Sequence, residues 1–257
     1  MHTNRFEALN KLFDKIYVLT IERARERQIA FSNHFKGLNY SFFYGIDKND
    51  INEIELEKQQ IYNPLEAQKN DRYHRKMKIG ELACALGHQS IYKDIIENNY
   101  TKVLILEDDV VTCDLYFTSY LNDILNNIPD DWELVYFDYL KNDTSNFLTK
   151  LKQFVYQIQG TLGFLNLTSL SIKNLYATKY NQYFKKAGYH MYTSAYCINQ
   201  KTAKLLLQQQ TPIKFVADHL LAYCITNNLI IGYIANPKIF KQLSQTNKTK
   251  YGSLVEN

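Results

Sequence analysis

The chain has 257 residues, of which 46% are hydrophobic and 22% charged, and a formal net charge of +4. That balance builds a sizeable core and lacks the low-hydrophobicity, high-charge signature of disorder. Lys and Arg are spread among Asp and Glu, which argues against a nucleic-acid binder with its clustered basic footprint.

The first apolar run, Lys15–Thr20 (KIYVLT), reads as a buried strand. The period and charge of 23–35 predict a helix, and 40–46 a second strand, so the chain opens an α/β layer. The stretch 47–78 is polar and reads as irregular structure with short helices, a length that usually serves function. A helix is expected over 80–98, then a strand over 103–106 that runs into Glu107, Asp108 and Asp109. A helix over 115–128 and a strand over 132–137 follow. The middle, 140–188, is poorly patterned and reads as a helix or an insertion that shapes an acceptor site. Strands at 194–198 and 229–234 flank helices at 201–210 and 217–226, and the tail after Pro237 reads as a loop or lid.

Cys84, Cys113, Cys197 and Cys224 are scattered without a CxxC spacing. This pattern argues against a structural zinc site and fits a reducing compartment. No apolar run reaches 18 residues, so any membrane role is expected to be peripheral. The expected location is the cytoplasm, at the cytoplasmic face of the inner membrane where it associates with one. The basic runs Arg72–Lys78 and Lys238–Lys250 read as solvated faces or as surfaces for anionic lipid or phosphorylated glycan. The 21 tyrosines reflect compositional bias or stack on sugar and base rings.

The most informative feature is VLILEDDVV. A buried strand carries acids only at its end, and ligands of open α/β sheets bind at the carboxyl ends of strands. Three adjacent carboxylates repel one another unless neutralised, which a divalent cation does. Residues i and i+2 share a face of an extended chain, so Glu107 and Asp109 are the candidate metal ligands, with Asp108 turned to the donor. The competing reading is a solvent-exposed acidic turn.

Several segments together resemble glycosyltransferase family 25, the lipooligosaccharide and collagen-type galactosyltransferases. IYVLTIERARER matches its strand followed by L-x-R-x-x-x-R, with Arg23 and Arg27 as the paired arginines. FFYGIDK matches a motif ending A-x-D-G, where Asp47 is kept and Gly45 and Lys48 depart. GELACALGH matches G-E-x-G-C-x-x-S-H through Gly80, Glu81, Cys84 and His88, with departures at Ala83 and Gly87. ILEDD is present in full. YHMYTSAYCINQKTAKLL matches a later motif through Thr193, Ala195 and Tyr196, and Asp218, Pro237 and Gln242 complete the order.

The resemblance implies an α/β, GT-A-like nucleotide-sugar transferase fold with a mixed, mostly parallel central sheet flanked by helices. One domain would span 1–257, with a nucleotide-sugar-binding half at 1–139 and an acceptor half at 140–257. It implies an inverting, Mn²⁺- or Mg²⁺-dependent transfer of galactose from UDP-galactose to a lipooligosaccharide or related surface glycan. Asp218 is the expected base, with a helix cap as its alternative. The expected donor contacts are Thr20, Arg23, Arg27, Asp47, Glu81, His88, Asp108, Thr193 and Tyr196. Arg23 and Arg27 would clamp diphosphate from one helical face, or hold a site carboxylate, or sit solvated. His88 could instead support the acidic cluster. His219 joins Glu107 and Asp109 as a metal ligand, and His190 is a further candidate. Other readings are a different sugar donor, a non-catalytic nucleotide-sugar-binding scaffold, and a metal-dependent phosphoesterase.

Overall fold

The computed structural model describes residues 4–243. Helix α1 (Glu7–Leu12) leads into β1 (Lys15–Thr20), α2 (Arg25–His34) and β2 (Ser41–Tyr44). A 3₁₀ turn at Lys48–Asp50 and the short helices α3 (Glu53–Lys58) and α4 (Pro64–Asn70) fill the irregular stretch. Asp47, Asn52 and Asn63 start these three elements, each accepting a hydrogen bond from a backbone amide two or three residues on. The long helix α5 (Ile79–Glu97), β3 (Lys102–Glu107), β4 (Val110–Thr112), α6 (Asp114–Asn126) and β5 (Leu134–Tyr136) follow. The second half holds α7 (Phe147–Thr161), α8 (Ser169–Lys173), β6 (Thr178–Lys179), β7 (Phe184–Lys186), β8 (Ala195–Asn199), α9 (Gln200–Gln209), α10 (Ala217–Thr226), β9 (Gly232–Ala235) and β10 (Phe240–Gln242).

Eight strands form one sheet in the order β2-β1-β3-β8-β5-β9-β7-β6. The β2–β1, β1–β3 and β5–β9 pairs are parallel, and β8 and β7 run against their neighbours. Six strands therefore point one way, which is the mixed, mostly parallel sheet of a GT-A-like fold. Strands from both halves of the sequence interleave, since β8 lies between β3 and β5.

Alternation along the strands explains the layers. Ile16, Val18, Leu104 and Leu106 face one core with Phe31, Phe35, Phe117 and Phe240. Tyr17, Val103 and Ile105 face the other, against Ile91, Tyr92 and Ile95 of α5 and Leu220 and Leu221 of α10.

Three local expectations change. Helix α2 begins at Arg25, after a turn in which the Ala24 amide donates to Ile21 O, so Arg23 lies outside it. The chain after Pro237 is not all loop: β10 pairs antiparallel with β4. The expected tail beyond residue 243, including most of the second basic run, lies outside the described residues. The middle region is ordered into α7, α8 and the β6–β7 hairpin. Among the described residues no helix is long and apolar enough to cross a membrane.

Candidate active site

Strands β1 and β3 lie side by side, with Leu19 registered on Glu107. Their carboxyl ends, the loop after β2 and the first turns of α5 line a cleft open to solvent. Its acidic wall is Glu107, Asp108 and Asp109, and its basic lining is Arg23, Arg27 and Lys48. Leu19, Thr20, Gly45, Ala83, Cys84 and Gln242 complete the walls used below. Opposite charges thus line one opening at the end of the sheet where such folds bind ligands.

The three acids have different partners. Asp108 is buried and accepts from Thr20 Oγ1 at 2.6 Å and from Arg27 Nη1 at 3.2 Å. Burial pushes its carboxyl above the ordinary range, Thr20 and Arg27 pull it back in part, and Glu107 adds to the rise. Gln28 Nε2 donates to Ile21 O at 2.9 Å and holds this turn in place. Glu107 accepts from Thr193 Oγ1 at 2.8 Å and from Gln242 Nε2 at 3.3 Å. Asp109 is buried in the cleft wall.

Arg23 and Arg27 do not form one clamp. Arg23 pairs with Asp47, which also caps the 3₁₀ turn through the Asn49 amide at 3.0 Å. The Arg23 guanidinium holds the Asp47 carboxyl below its usual range. Arg27, one helical turn away, goes to Asp108 instead.

Behind the acidic wall runs a buried polar chain. His88 Nδ1 and Tyr196 OH are 2.8 Å apart, and Tyr196 OH lies 3.0 Å from Tyr92 OH. Tyr196 is fully buried on β8 and His88 nearly so. Both stand behind the cleft, not on its surface, because β8 turns Tyr196 toward the α5 side of the sheet. His88 Nε2 is buried, has no hydrogen-bond partner, and sits 3.9 Å from Glu107 Oε1.

Cys84, one turn before His88 on α5, faces the same point. Ligand atoms of Cys84, His88 and Glu107 lie within 4.8 Å of one another. Burial drives the Cys84 thiol well above its ordinary value, with Glu107 and Asp218 adding to the rise. A thiolate and an imidazole would suit a softer metal than Mn²⁺ or Mg²⁺, and here burial favours the protonated thiol, which is a poor ligand. The carboxylates of Glu107 and Asp109 are the hard oxygen donors that Mn²⁺ and Mg²⁺ take, and both line the cleft. On donor chemistry these two residues fit such an ion.

Asp218 lies in the first turn of α10, but the cap position is Val216, so Asp218 is not the cap. Its Oδ2 accepts from the Tyr192 amide at 3.3 Å, and its Oδ1 is buried without a hydrogen-bond partner. Tyr192 has φ +81°, a strained conformation for a residue with a side chain. Consecutive residues therefore link the two acids: the Tyr192 amide holds Asp218 and the Thr193 hydroxyl holds Glu107.

Three expected residues sit elsewhere. Glu81 binds Arg75 through both oxygens at 2.9 Å and accepts from the Lys78 amide at 2.8 Å, which fixes the start of α5. His219 lines a separate small cavity with Asp71, Arg75 and Lys214. Its Nε2 stands 4.0 Å from Asp218 Oδ1, and among the described residues the cluster of close metal-ligating atoms that contains Glu107 does not include it, so His219 neighbours Asp218 and does not join Glu107 and Asp109. His190 Nε2 accepts from the Gly188 amide at 3.0 Å and Nδ1 donates to Lys141 O at 2.8 Å. Both ring nitrogens are committed, and burial lowers its pKa to about 4, so it is a neutral structural histidine, not a ligand.

Residues that the sequence did not single out include Lys48, Gln242 and Asp138. Asp138 is buried after β5, accepts from Ser194 Oγ at 2.8 Å and pairs with Lys238 at 3.3 Å. Because the Glu107 amide donates to Ser194 O at 2.9 Å, Asp138 braces the segment beside the acidic wall. Gln242 had a signal in the order of the late motifs and Lys48 stood only as a departure within one; Asp138 had no motif around it.

A family model described as glycosyltransferase family 25 (LPS biosynthesis protein) matches residues 13–221. A glycosyltransferase 25 family member from Anopheles gambiae is 26% identical over 222 residues, 83% of this chain and 32% of its own length. One from Drosophila pseudoobscura pseudoobscura is 30% identical over 128 residues, 48% of this chain and 20% of its own. Human procollagen galactosyltransferase 2 is 26% identical over 129 residues, 48% of this chain and 20% of its own. The chain spans a fifth to a third of the length of these relatives.

Proposed function

The chain belongs to glycosyltransferase family 25, and we propose that it transfers galactose from UDP-galactose to a lipooligosaccharide or related surface glycan, with inversion. The observation that carries this reading is the single cleft with Glu107, Asp108 and Asp109 on one wall and Arg23, Arg27 and Lys48 beside them. A nucleoside diphosphate needs cationic donors for its phosphates and oxygen ligands for its metal. The family's description as an LPS biosynthesis protein supports the acceptor class, and the human relative's name supports galactose. Four free cysteines support a reducing, cytoplasmic location.

Arg23 and Lys48 line the cleft and would receive the diphosphate. Arg27 and Thr20 hold Asp108 in place as the inner end of the wall. Glu107 and Asp109 would hold Mn²⁺ or Mg²⁺, which as a Lewis acid offsets charge growing on the leaving diphosphate. Thr193 and Gln242 orient Glu107 from two sides, and the Tyr196–His88 pair backs it. Asp218 would take the acceptor hydroxyl proton through Oδ1, the oxygen that no protein donor occupies. A different nucleotide sugar remains the second reading, since donor choice rests on a few contacts.

The test is nucleotide release from a panel of nucleotide sugars, with and without Mn²⁺. The expected result is slow Mn²⁺-dependent release of UDP from UDP-galactose, lost in Asp109→Ala and Asp109→Asn. Release from another sugar would replace the donor. No release, together with no metal-dependent UDP binding by calorimetry, would sink the transferase reading and leave a scaffold domain.

A further inference from the structure

Helix α7 presents the wrong face to water. Phe147, Leu151, Phe154, Val155, Ile158 and, just beyond its end, Leu162 are all exposed, Phe147 by 79% and Phe154 by 65%. At 3.6 residues per turn they fall within a stripe about 120° wide. The opposite face is polar or small, yet it is the face that is held down. Gln153 Nε2 donates to Ile172 O at 2.8 Å and Lys173 O at 3.0 Å, and Gln157 Nε2 to Ser169 Oγ at 2.7 Å. At Gly160 an added Cβ would lie 3.4 Å from Ile172 Cδ1, and Tyr156 packs against the cluster of Leu175, Tyr189 and Ala222. A helix on a water-facing surface has the reverse arrangement.

The charges around the stripe identify what covers it. Helix α7, FLTKLKQFVYQIQGT, has two charged residues, Lys150 and Lys152, and no acid. They fall on the two edges of the stripe. The basic run 72–78 meets the other face of α7: the Arg72 guanidinium stands 5.0 Å from the ring centroid of Tyr156, and Asn166 N donates to Arg72 O at 3.0 Å, so the cations at the stripe itself are the two lysines. Two copies meeting on this stripe would set lysine against lysine with no carboxylate on either helix. An anionic bilayer accepts the apolar stripe at the headgroup–acyl boundary and pairs every flanking cation.

We propose that α7 is an in-plane membrane anchor, docking the protein on an anionic lipid surface through its apolar stripe, with Lys150 and Lys152 at the headgroups. This surface is independent of the donor reading, and its test needs no activity.

The experiment is vesicle co-sedimentation of the full chain, with phosphatidylcholine vesicles and with vesicles carrying phosphatidylglycerol as well. Wild type should sediment with the anionic vesicles and far less with the neutral ones, and added salt should weaken it. Phe154→Glu with Ile158→Glu should lower the partition coefficient about tenfold or more while circular dichroism and thermal midpoint stay unchanged. No sedimentation with anionic vesicles would overturn the proposal, as would equal sedimentation of wild type and variant. A wild-type dimer in light scattering that the variant dissolves would assign the stripe to a second copy and overturn it too.

Discussion

Arg27→Met removes the cation beside a buried acid and keeps most of the stem that packs there. Asp108 and Arg27 side chains are 6% and 14% exposed, so the pair is well shielded from solvent. Breaking such a pair costs about 3–5 kcal/mol because the remaining charge stays buried; Thr20 still donates to Asp108, which favours the lower end, about 3 kcal/mol. Asp108 already has a raised pKa with Arg27 present, burial being the main cause, and loss of Arg27 raises it further. A carboxyl whose folded-state pKa exceeds its unfolded value of about 3.9 costs stability at all pH above the folded value. That cost fades as pH falls to the unfolded value. The deficit of Arg27→Met is therefore largest at pH 7 and shrinks as pH falls through the folded pKa. Urea unfolding, followed by the single Trp132 and by circular dichroism, measures it. Adding Asp108→Asn should recover about half of the loss at pH 7 and remove its pH dependence, a coupling typical of a paired charge. Equal stability of the single and double variants at pH 7, or a deficit that does not change with pH, would refute the reasoning.

Tyr196→Phe removes the hydroxyl between His88 and Tyr92 and should cost about 1–3 kcal/mol by stranding buried partners; a thermal midpoint within a degree of wild type would show that the chain carries no load. His190 should remain neutral in the folded protein down to its pKa of about 4. Its contribution, about 3 kcal/mol for a fall from about 6.5, is complete above pH 6.5 and lost as pH falls toward 4. An NMR titration with an imidazole midpoint near 6.5 would contradict its burial.

Elements built from local runs were legible in the sequence: β1, α5, β3 with its terminal acids, α9 and α10 stand within a few residues of expectation. The strands that were not are two or three residues long. Strands β4, β10, β6 and β7 exist because a distant partner completes them, as Gln242 does opposite Val110, and so short a run carries no period. Helix α7 has an i, i+4, i+7 stripe and an Asn146 cap that the reading of 140–188 as poorly patterned passed over; what its sequence cannot convey is which face the rest of the chain covers. The site divides in the same way. The acids at 107–109 are readable because strand chemistry forbids them anywhere but an end. Their partners are set by crossovers, with Thr20 and Arg27 reaching Asp108 from 88 and 81 residues away. Arg23 follows Asp47 instead because it precedes the helix that carries Arg27.

Two departures from the family pattern meet at one side chain. The resemblance has Ala where this chain has Gly45, and Ser where it has Gly87, positions 42 residues apart on the loop after β2 and on α5. Leu19 lies between them. A Cβ at Gly87 would come within 3.0 Å of Leu19 Cδ1, and one at Gly45 within 3.3 Å. An interior packed to crystal density does not leave room for both a leucine and two added side chains. The two glycines and Leu19 therefore act as one volume exchange: side chain is withdrawn from the two facing elements where Leu19 projects from the strand. Leu19 and Gly45 both line the cleft. Where the pattern would bring a serine hydroxyl close to the cleft floor, this chain has a leucine methyl. A ligand seated there meets apolar surface, so its orientation must come from the charged walls on either side, Arg23 and Lys48 on one and Glu107 and Asp109 on the other.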